Sequence, residues 1–214
     1  MLTVHHLGVS QSERIVWLCE ELGIDYQLKR YDREPMGMAP PDYKALHPLG
    51  AAPVITDGEL VLAESGAIIE YILAKHGDGR LAVGPDQANF GDYLYWLHFA
   101  NGTFMPAQMV LMFQRFMGGD AGANAGPADF LNERGERLWR LIEARLAEAP
   151  YFAGPDFTAA DIIMGFPLTT MRTFIPHDLG PYPALRAYLQ RIGERPAYRS
   201  AMQKGDPQMA PVLS

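Results

Sequence analysis

The stretch from His47 to Ile55 places a proline where an extended ligand could bind. Pro53 stands directly before an apolar pair that predicts a strand, and a proline suits a strand's first residue because it has no N–H for the ladder. A cis bond before Pro53 would turn the chain sharply and leave the backbone N–H and C=O of Ala52 free. These two groups could then pair with a peptide-like molecule.

Eleven residues after that proline, Glu64-Ser65 precedes an apolar pattern that predicts a helix beginning at Ser65. Backbone N–H groups point outward at a helix N-terminus, where the dipole favours negative charge. Glu64 could therefore hold the ammonium group of an α-amino acid, while Ser65 and the helix terminus hold its carboxylate. An ordinary helix start with a capping pair is the alternative interpretation.

Together the two stretches resemble the glutathione S-transferase family. The matching pattern is P-x-G-x-x-P-x-(L/I) at 48–55, followed by E-S-x-A-I at 64–68. In that family the residue before the cis-proline pairs with the cysteinyl backbone of glutathione, and the Glu-Ser pair binds the γ-glutamyl group. The resemblance implies that Ala52, Pro53, Glu64 and Ser65 bind glutathione as the co-substrate, with no metal.

The turn between the first strand and the first helix must then activate a thiol. A free thiol has a pKa of about 8.5 and the thiolate is the nucleophile, so a hydroxyl donor or a helix N-terminus has to favour the anion. The turn has Ser10, Ser12 and Arg14, similar to the S-x-S-x-R of bacterial and fungal members, and contains no tyrosine. The resemblance implies that Ser10 is the catalytic donor and that Arg14 and Ser12 belong to the glutathione site, where Ser12 also caps the helix. The alternative is that both serines only cap and turn, and that backbone N–H groups stabilise the thiolate.

The family pattern is broken at Ala51. Many members carry a lysine there that contacts the glycyl carboxylate of glutathione, which an alanine cannot do. His47, Arg33 or Lys44 could replace it. Of these, His47 is included among the predicted binding residues.

The order of predicted elements in the first third is β-α-β followed by β-β-α. This order matches the thioredoxin-like domain of the resembled family and predicts an α/β domain over 1–76, a Gly- and Pro-rich linker over 77–87 and an all-helical domain over 88–214. The resemblance implies that the first domain binds glutathione and that the second binds a hydrophobic substrate. The predicted strands cover 1–6, 25–29, 54–55 and 60–62, and the predicted helices of this half cover 12–23, 41–46 and 65–75.

The second half has helical periodicity throughout. A long helix over 88–116 should be kinked or split near Phe104, because Pro106 removes an intrahelical hydrogen bond. Thr158 and Asp161 form a capping-box pattern, which also matches the family and assigns Asp161 a structural role. The remaining predictions are a loop over 117–127, helices over 130–149, 181–192 and from 195, and a loose tail after 205.

Methionines recur along the kinked helix at Met105, Met109 and Met112. Methionine is flexible and polarizable, so such a stripe suits a pocket for varied apolar electrophiles. Ordinary helix core is the alternative, and we predict that these three residues lie near the pocket.

Composition limits the other possibilities. The net charge of -7 argues against a nucleic-acid surface, and the single cysteine, Cys19, excludes an internal disulfide. Cys19 is expected to be a buried residue and not a nucleophile. The adjacent histidines His5 and His6 should face opposite ways on a strand, so they are not a chelating pair. We expect no signal peptide, no membrane span and a cytoplasmic location.

The sequence therefore predicts a glutathione transferase that activates the glutathione thiolate for attack on a hydrophobic electrophile. Two alternatives on the same fold are a glutathione-dependent disulfide reductase or peroxidase, and a non-catalytic glutathione-binding protein. The resemblance also implies a detoxification enzyme that is a homodimer.

Overall fold

The computed structural model describes residues 1–116 and 125–214, and the chain forms two compact units. One unit comprises Met1–Pro85 with Ile192–Pro211, and the other comprises Asp86–Arg191 with Val212–Ser214. The domain and linker boundaries given above stay a prediction. In the ranges that the structure describes, no helix combines the length and the apolar character needed to cross a bilayer.

A four-stranded mixed sheet forms the centre of the first unit, in the order β2-β1-β3-β4. The first strand is parallel to the second and antiparallel to the third, which continues into an antiparallel hairpin. The parallel pair confirms the predicted β-α-β unit, although the second strand begins two residues later than predicted. The strands are β1 (Leu2–Leu7), β2 (Gln27–Tyr31), β3 (Val54–Asp57) and β4 (Leu60–Ala63).

Four helices belong to the same unit, and they follow the apolar stripes of the sequence. The core between helices and sheet contains Val4, Ile15, Leu18, Ile55 and Ile68, each with 0% exposure. The first helix packs against both the third and the last, so the C-terminal helix completes this unit. The helices are α1 (Glu13–Leu22), α2 (Pro41–Lys44), α3 (Ser65–His76) and α9 (Pro196–Gly205).

The second unit is helical in the part that the structure describes, so the predicted class, a thioredoxin-like α/β fold plus an all-α fold, is confirmed. The predicted loop at 117–127 falls largely outside the described residues, and helix already begins at Ala125. The elements are α4 (Phe90–Phe99), a π-helical segment (Ala100–Phe104), α5 (Met105–Phe116), α6 (Ala125–Glu148), α7 (Ala159–Leu168), a 3-10 turn (Thr170–Thr173) and α8 (Pro183–Glu194).

Pro106 does interrupt the long helix where predicted. The π-helical segment ends at Phe104, and Pro106 is the second residue of α5. A proline cannot donate to the carbonyl one turn earlier, and the wider turn accommodates the missing bond. The interruption is thus a change of helix type from Ala100 to Phe104.

The capping box at the start of α7 is confirmed. The Thr158 backbone N–H donates to Asp161 Oδ2 at 2.9 Å, and the Thr158 hydroxyl accepts from the Ala160 N–H at 3.3 Å. Asp161 is fully buried and also accepts from the Phe152 N–H. Its four hydrogen bonds support the structural role that the sequence suggested.

Candidate functional site

The peptide bond between Ala52 and Pro53 is cis, and it lies directly before β3. Pro53 is buried, whereas Ala52 is half-buried. Within residues 1–116 and 125–214, no hydrogen bond joins the Ala52 backbone to another protein group. Its N–H and C=O are therefore available to an extended ligand, as the sequence predicted.

Glu64 and Ser65 form the start of α3. Glu64 has a φ of 74°, a left-handed conformation that is uncommon outside glycine, and its side chain is exposed. Its carbonyl accepts the first intrahelical bond, from the Ile68 N–H at 2.9 Å. Ser65 is 2% exposed and lies in the first helical turn, where N–H groups have no intrahelical acceptor. A carboxylate and a helix N-terminus thus adjoin, as an α-amino acid ligand requires.

The predicted role of Ser12 as a side-chain cap is wrong. Ser12 occupies the N-cap position of α1, but it has helical backbone angles and its side chain makes no cap hydrogen bond. Its hydroxyl instead accepts from the Leu7 N–H at 3.1 Å and lies 2.9 Å from His6 Nδ1. The turn back to β1 competes for this hydroxyl and takes it away from the helix.

The Ser10 side chain lies in the same turn and is 5% exposed. Its hydroxyl donates to the Leu7 carbonyl at 2.7 Å and lies 2.8 Å from Ser12 Oγ. In the described part of the chain, the backbone N–H groups of Ser10 and Gln11 donate to no protein acceptor. The turn therefore offers two kinds of donor for a thiolate: the Ser10 hydroxyl after a rotation of its hydrogen, and these backbone N–H groups.

Arg14 connects this turn to α3. Its guanidinium donates from Nη1 to Gln11 Oε1 at 2.6 Å and to Ser65 Oγ at 3.2 Å. The side chain is 0% exposed, and burial lowers the pKa of Arg14 to about 9 although Glu13 raises it. The structure thus joins Ser10, Ser12, Arg14 and Ser65 in one region.

The three candidates for the glycyl carboxylate differ in what they already bind. Arg33 donates to the carbonyls of Gly8, Val9 and Gly37, so its guanidinium holds loops of the protein. Lys44 is exposed on α2. His47 is half-buried, and its Nδ1 accepts from the Leu49 N–H at 3.2 Å, so the ring hydrogen is on Nε2, which can donate.

The methionines divide between core and partly buried positions. Met105 is 5% exposed and packs with Phe166 and Met171, and Met109 and Met112 are partly buried against the same cluster. The cluster lies entirely in the helical unit. It provides a flexible apolar surface, while the role of the three methionines in substrate binding stays a prediction.

Cys19, His5 and His6 are the other residues whose structural environment was predicted from the sequence. Cys19 is 0% exposed and burial raises the pKa of its thiol, which confirms the buried position. His5 and His6 face different partners: His5 lies against Tyr31, and His6 lies against Asp206. In the two described ranges, no group of three or more histidine, cysteine, aspartate or glutamate side chains could hold a metal ion.

The sequence analysis missed His6 and Asp206 as partners of the first turn. Asp206 accepts from the Val9 N–H at 3.0 Å, and its other oxygen lies 3.1 Å from His6 Nε2. The tail after Gly205 was predicted to be loose, yet Asp206 is 2% exposed. No local sequence pattern predicts that a single acidic residue after the last helix is buried. The only signal in the sequence was His6, a histidine on β1 for which no partner was predicted.

Both units match known families. Residues 2–74 match the glutathione S-transferase N-terminal domain, and residues 126–191 match the glutathione S-transferase C-terminal domain. Glutathione S-transferase 3 of Schizosaccharomyces pombe is 34% identical over 221 residues, a match that covers 95% of this chain and 88% of the relative. The disulfide-bond oxidoreductase YfcG of Escherichia coli is 27% identical, with 95% of each chain covered.

Among solved structures, a glutathione S-transferase from Actinobacillus pleuropneumoniae has a TM-score of 0.87 and 35% sequence identity. The match covers 98% of this chain and 97% of that one. The similarity in sequence and in fold thus extends over both units. Because both family domains are present and a relative that is 34% identical covers most of the chain, the chain belongs to the glutathione S-transferase family of enzymes.

Proposed function

We propose that this protein binds glutathione and transfers its thiolate to a hydrophobic electrophile. The observation that carries the proposal is the unpaired backbone of Ala52 beside the cis-proline, in the same unit as the Glu64-Ser65 helix start. An extended tripeptide would pair its cysteinyl backbone with Ala52. Its γ-glutamyl ammonium would bind Glu64, and its γ-glutamyl carboxylate would bind Ser65 and the helix terminus.

The proposed catalytic step is the stabilisation of the thiolate over the first turn. Lowering the thiol pKa by about two units requires about 2.7 kcal/mol of preferential stabilisation of the anion. One charge-assisted hydrogen bond from Ser10 together with the N-terminal end of α1 is of that size. The backbone N–H groups of Ser10 and Gln11 are the alternative donors, and their lack of acceptors in the described residues supports including them.

The remaining ligand contacts are proposals as well. His47, with Nε2 as a donor, would bind the glycyl carboxylate in place of the family's lysine. Met105, Met109 and Met112 would contact the apolar part of the electrophile.

We also propose that the protein is a cytoplasmic detoxification enzyme and acts as a homodimer. Large apolar side chains exposed on α4 and α5 are compatible with self-association: Tyr95 is 51% exposed and Phe113 is 54% exposed. Light scattering after size exclusion would measure the mass. A monomer at micromolar concentration would contradict the dimer.

Two measurements test the main proposal. Calorimetric titration of the pure protein with glutathione should show saturable binding. The protein should also catalyse the reaction in which the glutathione sulfur displaces chloride from a chlorinated nitroaromatic, which forms the C–S bond and releases chloride. If neither binding nor conjugation is found, the proposal is wrong. Binding without any turnover would instead favour the non-catalytic protein.

Disulfide reduction is the second candidate, and the similarity to YfcG favours it. The first turn contains no cysteine, so glutathione itself would attack the disulfide and no mixed disulfide with the protein would form there. Steady-state rates with a model disulfide and with the nitroaromatic, measured on one preparation, decide between the two. Faster disulfide turnover would favour the reductase.

A further inference from the structure

Asp206 and His6 form a buried pair behind the first turn. Asp206 follows α9 directly and is 2% exposed, while His6 lies on β1 and is 0% exposed. The distance between Asp206 Oδ2 and His6 Nε2 is 3.1 Å. A Cβ on Gly205 would come within 3.1 Å of His6 Nε2, so glycine is what allows this close approach. The pair therefore depends on how α9 ends.

The same carboxylate holds a residue with an unusual backbone conformation. Val9 has a φ of 50°, which is rare for a β-branched residue. Its N–H donates to Asp206 Oδ1 at 3.0 Å, and its carbonyl accepts from Arg33 Nη2 at 3.1 Å. Such conformations persist only where surrounding contacts hold them, and they concentrate at functional sites. Val9 immediately precedes Ser10, so Asp206 helps to place the proposed thiolate donor.

The hydrogen-bond distances fix the direction of each donor in the turn. The 2.7 Å contact between Ser10 Oγ and the Leu7 carbonyl needs the Ser10 hydrogen, because a carbonyl has none. The Ser12 hydrogen then goes to Ser10 Oγ, 2.8 Å away, since its other acceptor, the Leu7 carbonyl, is more distant at 3.3 Å. His6 Nδ1 must therefore donate across the 2.9 Å to Ser12 Oγ. Donors thus point from His6 to Ser12 and from Ser12 to Ser10.

The contact between His6 Nε2 and Asp206 Oδ2, on the other side of the imidazole ring, needs a second hydrogen. His6 Nε2 faces a carboxylate oxygen, and two lone pairs at 3.1 Å would repel each other. In this hydrogen-bond pattern both ring nitrogens of His6 donate, Nδ1 to Ser12 Oγ and Nε2 to Asp206 Oδ2. Burial raises the pKa of Asp206, but the hydrogen bond from His6, the charge of His6, the Val9 N–H and the charge of Arg30 outweigh it and leave this pKa below its ordinary value. This agrees with an ionised Asp206.

We propose that Asp206 and His6 are positioning residues for the thiolate site, an inference that rests on the function proposed above. They keep the donors aligned toward Ser10, so that Ser10 delivers its hydrogen to the sulfur by rotating it away from the Leu7 carbonyl. A hydroxyl that itself accepts a hydrogen bond from a polarised donor is a stronger donor. The interaction between Asp206 and His6 thereby influences Ser10 through the hydrogen bonds of Ser12.

Other charged groups face the pair from the neighbouring elements. Arg30 of β2 and Arg33, which follows that strand, both act on Asp206 electrostatically. Both are cations, so they favour the carboxylate. A substitution at Asp206 therefore removes the negative charge that these cations and His6 share.

The test compares Asp206→Asn with Asp25→Asn, which makes the same substitution at an exposed aspartate between α1 and β2. We expect Asp206→Asn to raise the pKa of the bound glutathione thiol by about one unit, from about 6.5 to about 7.5, which leaves about threefold less thiolate at about pH 7. The pH profile of kcat should shift to higher pH by the same amount, with less than about a twofold change in KM for glutathione because the ligand contacts remain. Asp25→Asn should leave both unchanged. The ultraviolet absorbance of the thiolate, measured against pH, gives the thiol pKa directly.

The outcomes separate the two proposals. A wild type that shows no depressed thiol pKa contradicts the proposed function, and the positioning role with it. A wild type with a depressed pKa that Asp206→Asn does not change contradicts the positioning role alone, even if the variant melts earlier. Should Asp206→Asn fail to fold, the nitrogen NMR spectrum of His6 in the wild type decides. Protons on both ring nitrogens support the proposal, and a proton on Nε2 alone overturns it.

Discussion

Arg14 Nη1 donates a hydrogen bond to Ser65 Oγ across 3.2 Å, between residues that are 51 positions apart in the sequence. The bond joins the start of α1 to the start of α3. These are the helix ends proposed to face the sulfur and the γ-glutamyl group of glutathione. Since Arg14 is fully buried, this hydrogen bond is shielded from solvent and from screening by salt. The relative placement of the two binding elements thus depends on one guanidinium.

Replacing Arg14 by methionine should weaken glutathione binding about tenfold and lower the free energy of unfolding by about 2 kcal/mol. Methionine fills similar volume, but Gln11 and Ser65 lose their donor and the buried Glu13 loses a cation. Calorimetry gives the affinity and urea unfolding gives the stability. An unchanged affinity for glutathione in a stably folded variant would refute the proposal that Arg14 holds the starts of α1 and α3 in place for binding.

The carboxylate of Glu64 is expected to bind the γ-glutamyl ammonium group. Glu64→Gln keeps the shape and removes the charge, so it should raise the dissociation constant about 10- to 100-fold, equivalent to about 1.5–3 kcal/mol. Its stability should be close to that of the wild type because the side chain is exposed. Calorimetric titration with glutathione checks this.

Glu70→Gln is the matched control for Glu64. Glu70 is also exposed, and it lies in α3, six residues further along the chain. It makes the same change in net charge and should leave the affinity within about twofold, because surface charge effects are small. Equal effects of the two substitutions would mean that net charge, and not a contact with Glu64, governs binding.

Asp161 should make a stability contribution that depends on pH. Burial raises its pKa to about 6 from 3.8 despite the hydrogen bonds from Phe152, Thr158 and Tyr188 that lower it. The folded pKa lies above the unfolded one, so the folded state binds more protons between these values. The contribution of Asp161 to the free energy of unfolding should then fall by about 3 kcal/mol as pH rises through this window.

The measurement is the difference in unfolding free energy between the wild type and Asp161→Ala at pH about 4 and pH about 7. The variant leaves the N–H groups of Phe152 and Thr158 without their acceptor, so it should be less stable at both values. Asp156→Ala is the control, since Asp156 is exposed near the same helix start. A difference that grows with pH would contradict the raised pKa.

Cys19 should be inert in the native protein. Its thiol is fully buried and burial raises its pKa, so little thiolate forms and reagents cannot reach it. Labelling with an aromatic disulfide reagent should be at least about 100-fold slower in buffer than in denaturant. Cys19→Ala should retain full transferase activity. Fast native labelling, or lost activity in a folded Cys19→Ala protein, would assign the thiol a role.

Much of the candidate site could be predicted because local sequence determines it. Pro53 before an apolar pair, and Glu64-Ser65 before an apolar helical stripe, each specify a strand or helix start without help from distant residues. The Thr158 and Asp161 pair is likewise a pattern within one helical turn. The fold class followed from the order of such elements along the chain.

The remainder depends on contacts between distant residues. His6 and Asp206 are 200 positions apart, so no local pattern links them. Ser12 has an N-cap position in the sequence, but His6 and the Leu7 N–H compete successfully for its hydroxyl. Sequence spacing predicts which residues are able to cap, whereas tertiary packing decides which partner they bind.

The π-helical segment determines in which direction the side chains of α5 point. A π turn contains one residue more than an α turn, and each residue advances an α-helix by about 100°. Deleting Gly102, which is exposed and has open space around its Cα, would let the segment close into ordinary α-helix. The Met105, Met109 and Met112 stripe would then rotate by about that angle away from Phe166 and Met171. The one extra residue of the π turn thus determines the direction of the three methionine side chains.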